Sequence, residues 1–277
     1  MERALVLGGG GVTGVAWELG LLAGLAERGV PVTEADLVVG TSAGSVVGAQ
    51  MCSGVPLEQL YEAQLAPPSG ELTARLGLAV LARMVWAGAR TRDAVRARAR
   101  IGAMAVAART PSEASRRAVI EARLPTAEWP QRRLLVTAVD ASSGEFVVFD
   151  GDSSVSLVDA VGASCAVPGV WPPVTIGARR YVDGEMRSTV NADLAADARR
   201  VLVIAPTSGA FGPMPRLSAQ VAGLRAAGSR VVVVTPDASA RKAIGRNVLD
   251  PARRAGSARA GRAQAAVVAD EVAALWV

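Results

Sequence analysis

No histidine occurs among the 277 residues. That absence excludes a Ser-His-Asp triad, histidine metal ligation and imidazole acid–base catalysis. Lysine is nearly missing as well: Lys242 is the only one, so the net charge of +5 is carried by arginine. In an arginine- and alanine-rich chain that balance reads first as genomic base composition, and no nucleic-acid partner is expected. The two cysteines, Cys52 and Cys165, lie far apart without metal-ligand spacing, which suits a reduced, cytosolic protein. Long hydrophobic runs are also lacking. The longest, residues 76–88, is broken by Arg83 and is too short to span a bilayer. A strand begins almost at once, so no secretory leader is expected.

What is present points to an α/β protein. Hydrophobic residues make up 51% and charged ones 20%, which is enough for a large core. No linker divides the chain, so one domain over 1–277 is expected. Arg3-Ala4-Leu5-Val6-Leu7 has the composition of a buried parallel strand. It enters Gly8-Gly9-Gly10-Gly11-Val12-Thr13-Gly14. Val15, Leu19, Leu22 and Leu25 then recur at helical spacing before Gly29 and Pro31, predicting a helix over 15–28. Leu37-Val38-Val39 is a second strand. A right-handed crossover would put both glycine turns at strand carboxyl ends, where open α/β sheets bind ligands.

Residues 67–125 differ in character. Between 73 and 125 stand eleven arginines against three acids, Asp93, Glu113 and Glu121. The segment reads as a helical insertion packed like a lid over the sheet, or equally as a helical layer with a solvated basic face. Met84 and Trp86 are assigned to its core. Strands return at 132–139 and 145–149, a hairpin through Ala141-Ser142-Ser143-Gly144. A helix over 156–166 follows, then a strand pair at 174–176 and 179–182. Buried strands at 201–205 and 231–235 and an apolar helix over 263–276 complete the chain.

The second strand ends in Gly40-Thr41-Ser42-Ala43-Gly44, a Gly-x-Ser-x-Gly turn. A strand-to-helix turn this tight leaves no room for a β-carbon beside the serine. The hydroxyl is pushed out next to a helix N-terminus. The run Gly9-x-Gly11-x-x-Gly14 fits a dinucleotide loop by spacing, but that fold needs an acid at the end of the second strand. Glu34 and Asp36 precede the strand, and Gly40-Thr41-Ser42 end it. A Walker loop fails for want of Gly-Lys-Ser/Thr. An oxyanion hole fits, because glycine amides can approach a developing alkoxide with a helix N-terminus behind them.

In this order the motifs resemble the patatin-like phospholipases, serine acyl hydrolases with a Ser-Asp dyad. The family marks are a glycine-rich oxyanion loop, a Gly-x-Ser-x-Gly elbow, and an Asp-Gly-Gly or Asp-Gly-Ala turn. Residues 9–14 match the first, 40–44 the second, and Asp183-Gly184 begin the third. Ala163-Ser164-Cys165-Ala166-Val167-Pro168, Trp171-Pro172-Pro173 and Tyr181-Val182 resemble the family segment leading to its aspartate. The likeness spans roughly 3–205 and is weak in the insertion and over 206–277.

The resemblance implies a three-layer α/β/α fold with a mostly parallel central sheet and a helical lid. It implies that Ser42 attacks an ester carbonyl, Asp183 takes its proton, and Gly9, Gly10 and Gly11 hold the oxyanion. Gly14, Gly40, Gly44 and Gly184 complete the motifs. The substrate would be a lipid or other acyl ester, with no metal and no cofactor. Because aspartate is ordinarily a poor base for serine, burial must raise its proton affinity or hold it in contact. Asp140, Asp150 and Asp152 are competing carboxylates in loops that match no motif. Thr41, Ser45 and Ser164 read as structural or capping residues.

Two residues depart from the pattern: Thr13 stands where the family carries a basic residue, and Glu185 where it carries a small one. Glu185 could raise the proton affinity of Asp183, fill the acyl site, or turn outward to an insertion arginine. The outward position is expected, since an unpaired charge in an acyl pocket is costly. These departures keep open a second reading, a catalytically weakened relative that binds an acyl ligand or a partner. The arginine excess suggests peripheral contact with anionic membrane.

Overall fold

The computed structural model describes residues 1–67, 74, 77–89, 91–209 and 213–276. Five strands run parallel: β1 (Arg3–Leu7), β2 (Leu37–Gly40), β3 (Arg133–Asp140), β7 (Arg200–Ile204) and β8 (Arg230–Val234). Three run antiparallel: β4 (Phe146–Phe149) and β6 (Arg179–Asp183) on β3, and β5 (Val174–Ile176) on β6. The order is β5-β6-β3-β2-β1-β7-β8, with β4 also on β3.

Alternation along the strands makes two cores, as the period of two requires. Leu5 and Leu7 face a larger core with α1 (Gly11–Glu27), α2 (Ala43–Cys52), α7 (Leu157–Ser164) and α10 (Arg254–Trp276). Ala4 and Val6 face a smaller one closed by α8 (Leu217–Ala226). The result is the expected three-layer, mostly parallel α/β/α arrangement. The helices α3 (Leu57–Leu65) and α9 (Ala238–Ile244) lie at the margins of the larger core.

The pairing on β3 fixes where the site forms. Val136 pairs with Gly40 and Phe149, and Ala138 pairs with Asp183 and Val147. Since β4 occupies one side of β3, β2 and β6 must both meet its other side, from opposite directions. Their ends, Gly40 and Asp183, are therefore two residues apart along β3, about 7 Å.

Two helices start earlier than the sequence predicts. α1 begins at Gly11, straight out of the loop, rather than at residue 15. α10 begins at Arg254 rather than at 263. One of its two glycines, Gly261, serves close packing on α1. A Cβ on Gly261 would meet the Trp17 carbonyl, and one on Gly20 the Ala258 carbonyl. Trp17 Nε1 also donates to Gln264 Oε1 at 3.1 Å. α1 is buried from Thr13 to Leu25 because the sheet covers one side and α10 the other.

The insertion forms α4 (Leu78–Ala89), α5 (Ala94–Val106) and α6 (Glu113–Arg123). Met84, Ala87, Ile101 and Ala105 pack on Val139, Val182 and Met186, over the turn that follows β6. Met84 is core, as expected, but Trp86 is 65% exposed. The buried stripe of α4 runs through Met84 and Ala87, and Trp86 falls off it.

Candidate active site

Ser42 stands between β2 and α2, at φ +51° and ψ −114°. Non-glycine residues avoid this region, at a cost of about 1–3 kcal/mol. The flanking glycines make room for the turn. A Cβ on Gly40 would meet the backbone of Ser45, and one on Gly44 the Leu7 carbonyl. The Ser42 amide donates to Ser164 Oγ at 2.9 Å, and its carbonyl accepts from Ser45 Oγ at 2.6 Å and Cys165 Sγ at 3.3 Å. Held from α2 and α7, the Ser42 hydroxyl donates to Asp183 Oδ2 at 2.8 Å.

Asp183 is fully buried. Its Oδ1 accepts the Glu185 amide at 2.8 Å, and a Cβ on Gly184 would collide with Thr137. Asn191, at φ +51°, ties this turn to the elbow. Its Nδ2 donates to Thr41 Oγ1 at 3.0 Å and to the Gly184 carbonyl at 3.4 Å. Burial and then the neighbouring Glu185 carboxyl push the Asp183 carboxyl well above its usual range. Asp140 is bound to its own turn, accepting from Ser142 and Ser143, and Asp150 caps the turn at Ser153. Neither reaches Ser42.

In the glycine loop, the Gly9 amide donates to the Thr189 carbonyl at 2.8 Å. Gly9 thus has no free amide for an oxyanion, contrary to the expectation from sequence. The amides of Gly10 and Gly11, at the start of α1, have no acceptor among the described residues. Gly14 closes the first turn of α1, its amide donating to the Gly10 carbonyl at 2.8 Å. Thr13 clasps the Val248 carbonyl through its amide at 3.1 Å and its hydroxyl at 3.2 Å.

Glu185 turns inward, not outward. Its carboxyl lies against the Cα of Gly9, where any Cβ would collide with it. The expectation failed because it assumed a charged side chain. Burial pushes Glu185 up to about 7, so the group can enter the site carrying its proton. Glu18 of α1 is a third carboxyl at this corner and is fully buried. Burial raises it well above its usual range; the Gly8 backbone opposes that in part, and Glu185 adds to it.

A cavity of about 20 Å³ lies beside Ser42, lined by Val12, Val15, Val46, Arg116 and Trp171 among others. It has room for one water. Arg116, buried on α6, stacks at 4.0 Å over the Trp171 ring. Sequence reasoning missed Arg116 and Asn191. Neither carries a local motif, and each reaches the site from a distant element. Among the described residues no cluster of His, Cys, Asp and Glu could hold a metal ion.

Sheet, elbow and glycine loop thus meet at one carboxyl edge of an α/β fold. The family model for patatin-like phospholipases matches residues 5–196. The chain belongs to that family, which supports lipid acyl hydrolase activity in general. The crystal structure of VipD from Legionella pneumophila is similar at a TM-score of 0.50 and 14% identity, covering 98% of this chain and 67% of that one. That of the type III effector protein ExoU gives a TM-score of 0.41 and 14% identity, covering 98% of this chain and 53% of that one. The chain thus spans about two thirds of the first and about half of the second. At this identity the VipD likeness speaks for the fold alone. No curated protein matches the chain.

Proposed function

We propose that the chain is a lipid acyl hydrolase, of phospholipase or carboxylesterase type, working through Ser42 and Asp183. The observation that carries this reading is the 2.8 Å hydrogen bond from the hydroxyl of a strained serine to a fully buried aspartate. Desolvation gives that aspartate the proton affinity a serine base needs. Ser42 Oγ bonds to the ester carbonyl carbon while its proton passes to Asp183. The carbonyl oxygen, now an oxyanion, faces the amides of Gly10 and Gly11 and the N-terminus of α1. As the ester C–O bond breaks, Asp183 returns the proton to the leaving alkoxide. Water then repeats the sequence on the acyl-enzyme and restores Ser42.

We also propose that the protein docks peripherally on anionic lipid. Val85 and Trp86 on α4 and Val95 on α5 are exposed beside exposed Arg83, Arg96 and Arg100. No described helix is long and apolar enough to cross a membrane.

A fluorophosphonate probe tests the mechanism. Labelling should map to Ser42 and vanish in Ser42→Ala. Asp183→Asn should slow hydrolysis of p-nitrophenyl esters nearly as much as Ser42→Ala, with the double variant little worse, because the two act as a unit. An additive double variant would remove Asp183 from the mechanism. The inward Glu185 favours one rival, a weakened relative that only binds acyl ligands. A wild type that is neither labelled nor hydrolytic at any pH would establish that rival instead.

A further inference from the structure

Two of the carboxyls at the active-site corner are Asp183, which accepts the Ser42 hydroxyl at Oδ2 and the Glu185 amide at Oδ1, and Glu185, whose carboxyl rests on the glycine loop. As a carboxylate, Glu185 would stand beside the Asp183 carboxylate with no donor of comparable geometry among the described residues, an arrangement that is repulsive unless Glu185 carries a hydrogen of its own. Asp183, with two donors directed at it, is the better anion of the two. Between them the pair keeps one proton, and the geometry assigns it to Glu185. On its other side the same carboxyl rests on Gly9, the glycine whose amide is taken by Thr189.

We propose that Glu185 is a further catalytic residue, a carboxylic acid that donates a hydrogen bond to the oxyanion at the glycine loop. The inference rests on the hydrolase reading above and adds a third donor to the amides of Gly10 and Gly11. It gives a use to the residue at which the chain departs most from its family. It also replaces positive charge lost from the loop, where Thr13 is neutral and engaged with Val248. Balance is preserved: Asp183 still takes and returns the Ser42 proton, and Glu185 keeps its own throughout. A carboxylic acid held neutral among apolar and acidic neighbours is a known kind of oxyanion donor.

The charged and titratable groups around Glu185 favour that form. Asp183 faces it from the end of β6 and Glu18 from α1, and a charge on Glu185 would raise the proton affinity of both. Arg116 of α6 acts on Asp183 as a weaker, opposing charge. Cys165, just after α7, is held neutral by burial, its thiol pushed up to about 11. β3 contributes Thr137, which is uncharged, against Gly184. Burial raises Glu185 to about 7, so the acid form is populated near neutrality and lost as the pH climbs.

The active pair therefore holds a single proton, and kcat/KM should be bell-shaped, with the alkaline limb marking loss of the last proton. The test follows p-nitrophenyl butyrate hydrolysis from pH 5 to 9 in the wild type, Glu185→Gln and Glu185→Ala. Endpoint fluorophosphonate labelling of Ser42 is measured on each. Glu185→Ala should lower kcat about 100-fold, the scale of losing one oxyanion donor, with the serine still labelled. Glu185→Gln keeps a neutral donor; it should recover most of that loss and abolish the alkaline limb. A Glu185→Ala variant as fast as the wild type or faster would show that Glu185 merely blocks the site. An alkaline limb unmoved in Glu185→Gln would equally overturn the proposal. A wild type that is neither labelled nor active would instead remove the hydrolase reading, and this inference with it.

Discussion

Three carboxyls share one corner, and Glu18 is the one without a chemical task. Burial raises its proton affinity well above the ordinary value of 4.5, against the smaller opposing pull of the Gly8 backbone. Above that value the unfolded chain has released the proton while the folded chain retains it, so stability falls as the pH rises toward the folded value. Glu18→Gln should therefore raise Tm more at pH 8 than at pH 5, by about 3 °C or more if 1 kcal/mol is recovered. Equal shifts at the two pH values in calorimetry would mean that Glu18 is ionised in the fold. Residues of this kind mark where the sequence stops being legible. Ser42, Asp183 and the glycines could be read because a sharp turn admits one residue type at a fixed spacing. The direction of Glu185 could not, since its rotamer depends on the space left at Gly9, far away in the chain.

At the scale of elements, strands were legible and helix boundaries less so. The runs Leu5-Val6-Leu7, Val201-Leu202-Val203 and Val231-Val232-Val233 are buried on both faces, so their apolar continuity announces them. The start of α10, Arg254 to Arg262, carries no apolar stripe to announce a helix. Gly261 has a tertiary use: it lets α10 approach α1 until backbone meets backbone. Gly261→Val should consequently lower stability in urea by about 3 kcal/mol, the upper range for overpacking. A loss below about 0.5 kcal/mol, as at ordinary surface sites, would show that the two helices are not packed this closely. The exposed position of Trp86 has a similar origin. A helix three turns long offers one stripe to its neighbours, and Met84 and Ala87 take it.

Over the whole molecule the net charge of +5 is unevenly placed, with exposed arginines gathered on the insertion beside Trp86. Co-sedimentation with vesicles should rise with anionic lipid content and fall with salt, and Trp86→Ala should weaken it. Binding indifferent to lipid charge, salt and Trp86 would leave those arginines as solvated surface. The register on β3 has a further consequence, in the order of folding events. β2 and β6 approach β3 end to end, one from before the insertion and one from after it. The proposed nucleophile and its base are thus neighbours only once strands distant in sequence have docked, and such long-range closures are the slow part of folding. The nascent chain would carry a serine but no esterase. During refolding, phosphonate uptake at Ser42 should lag behind recovery of helical signal, and uptake in step with the helices would refute that order. Reactivity of one hydroxyl would then serve as a clock for completion of the sheet.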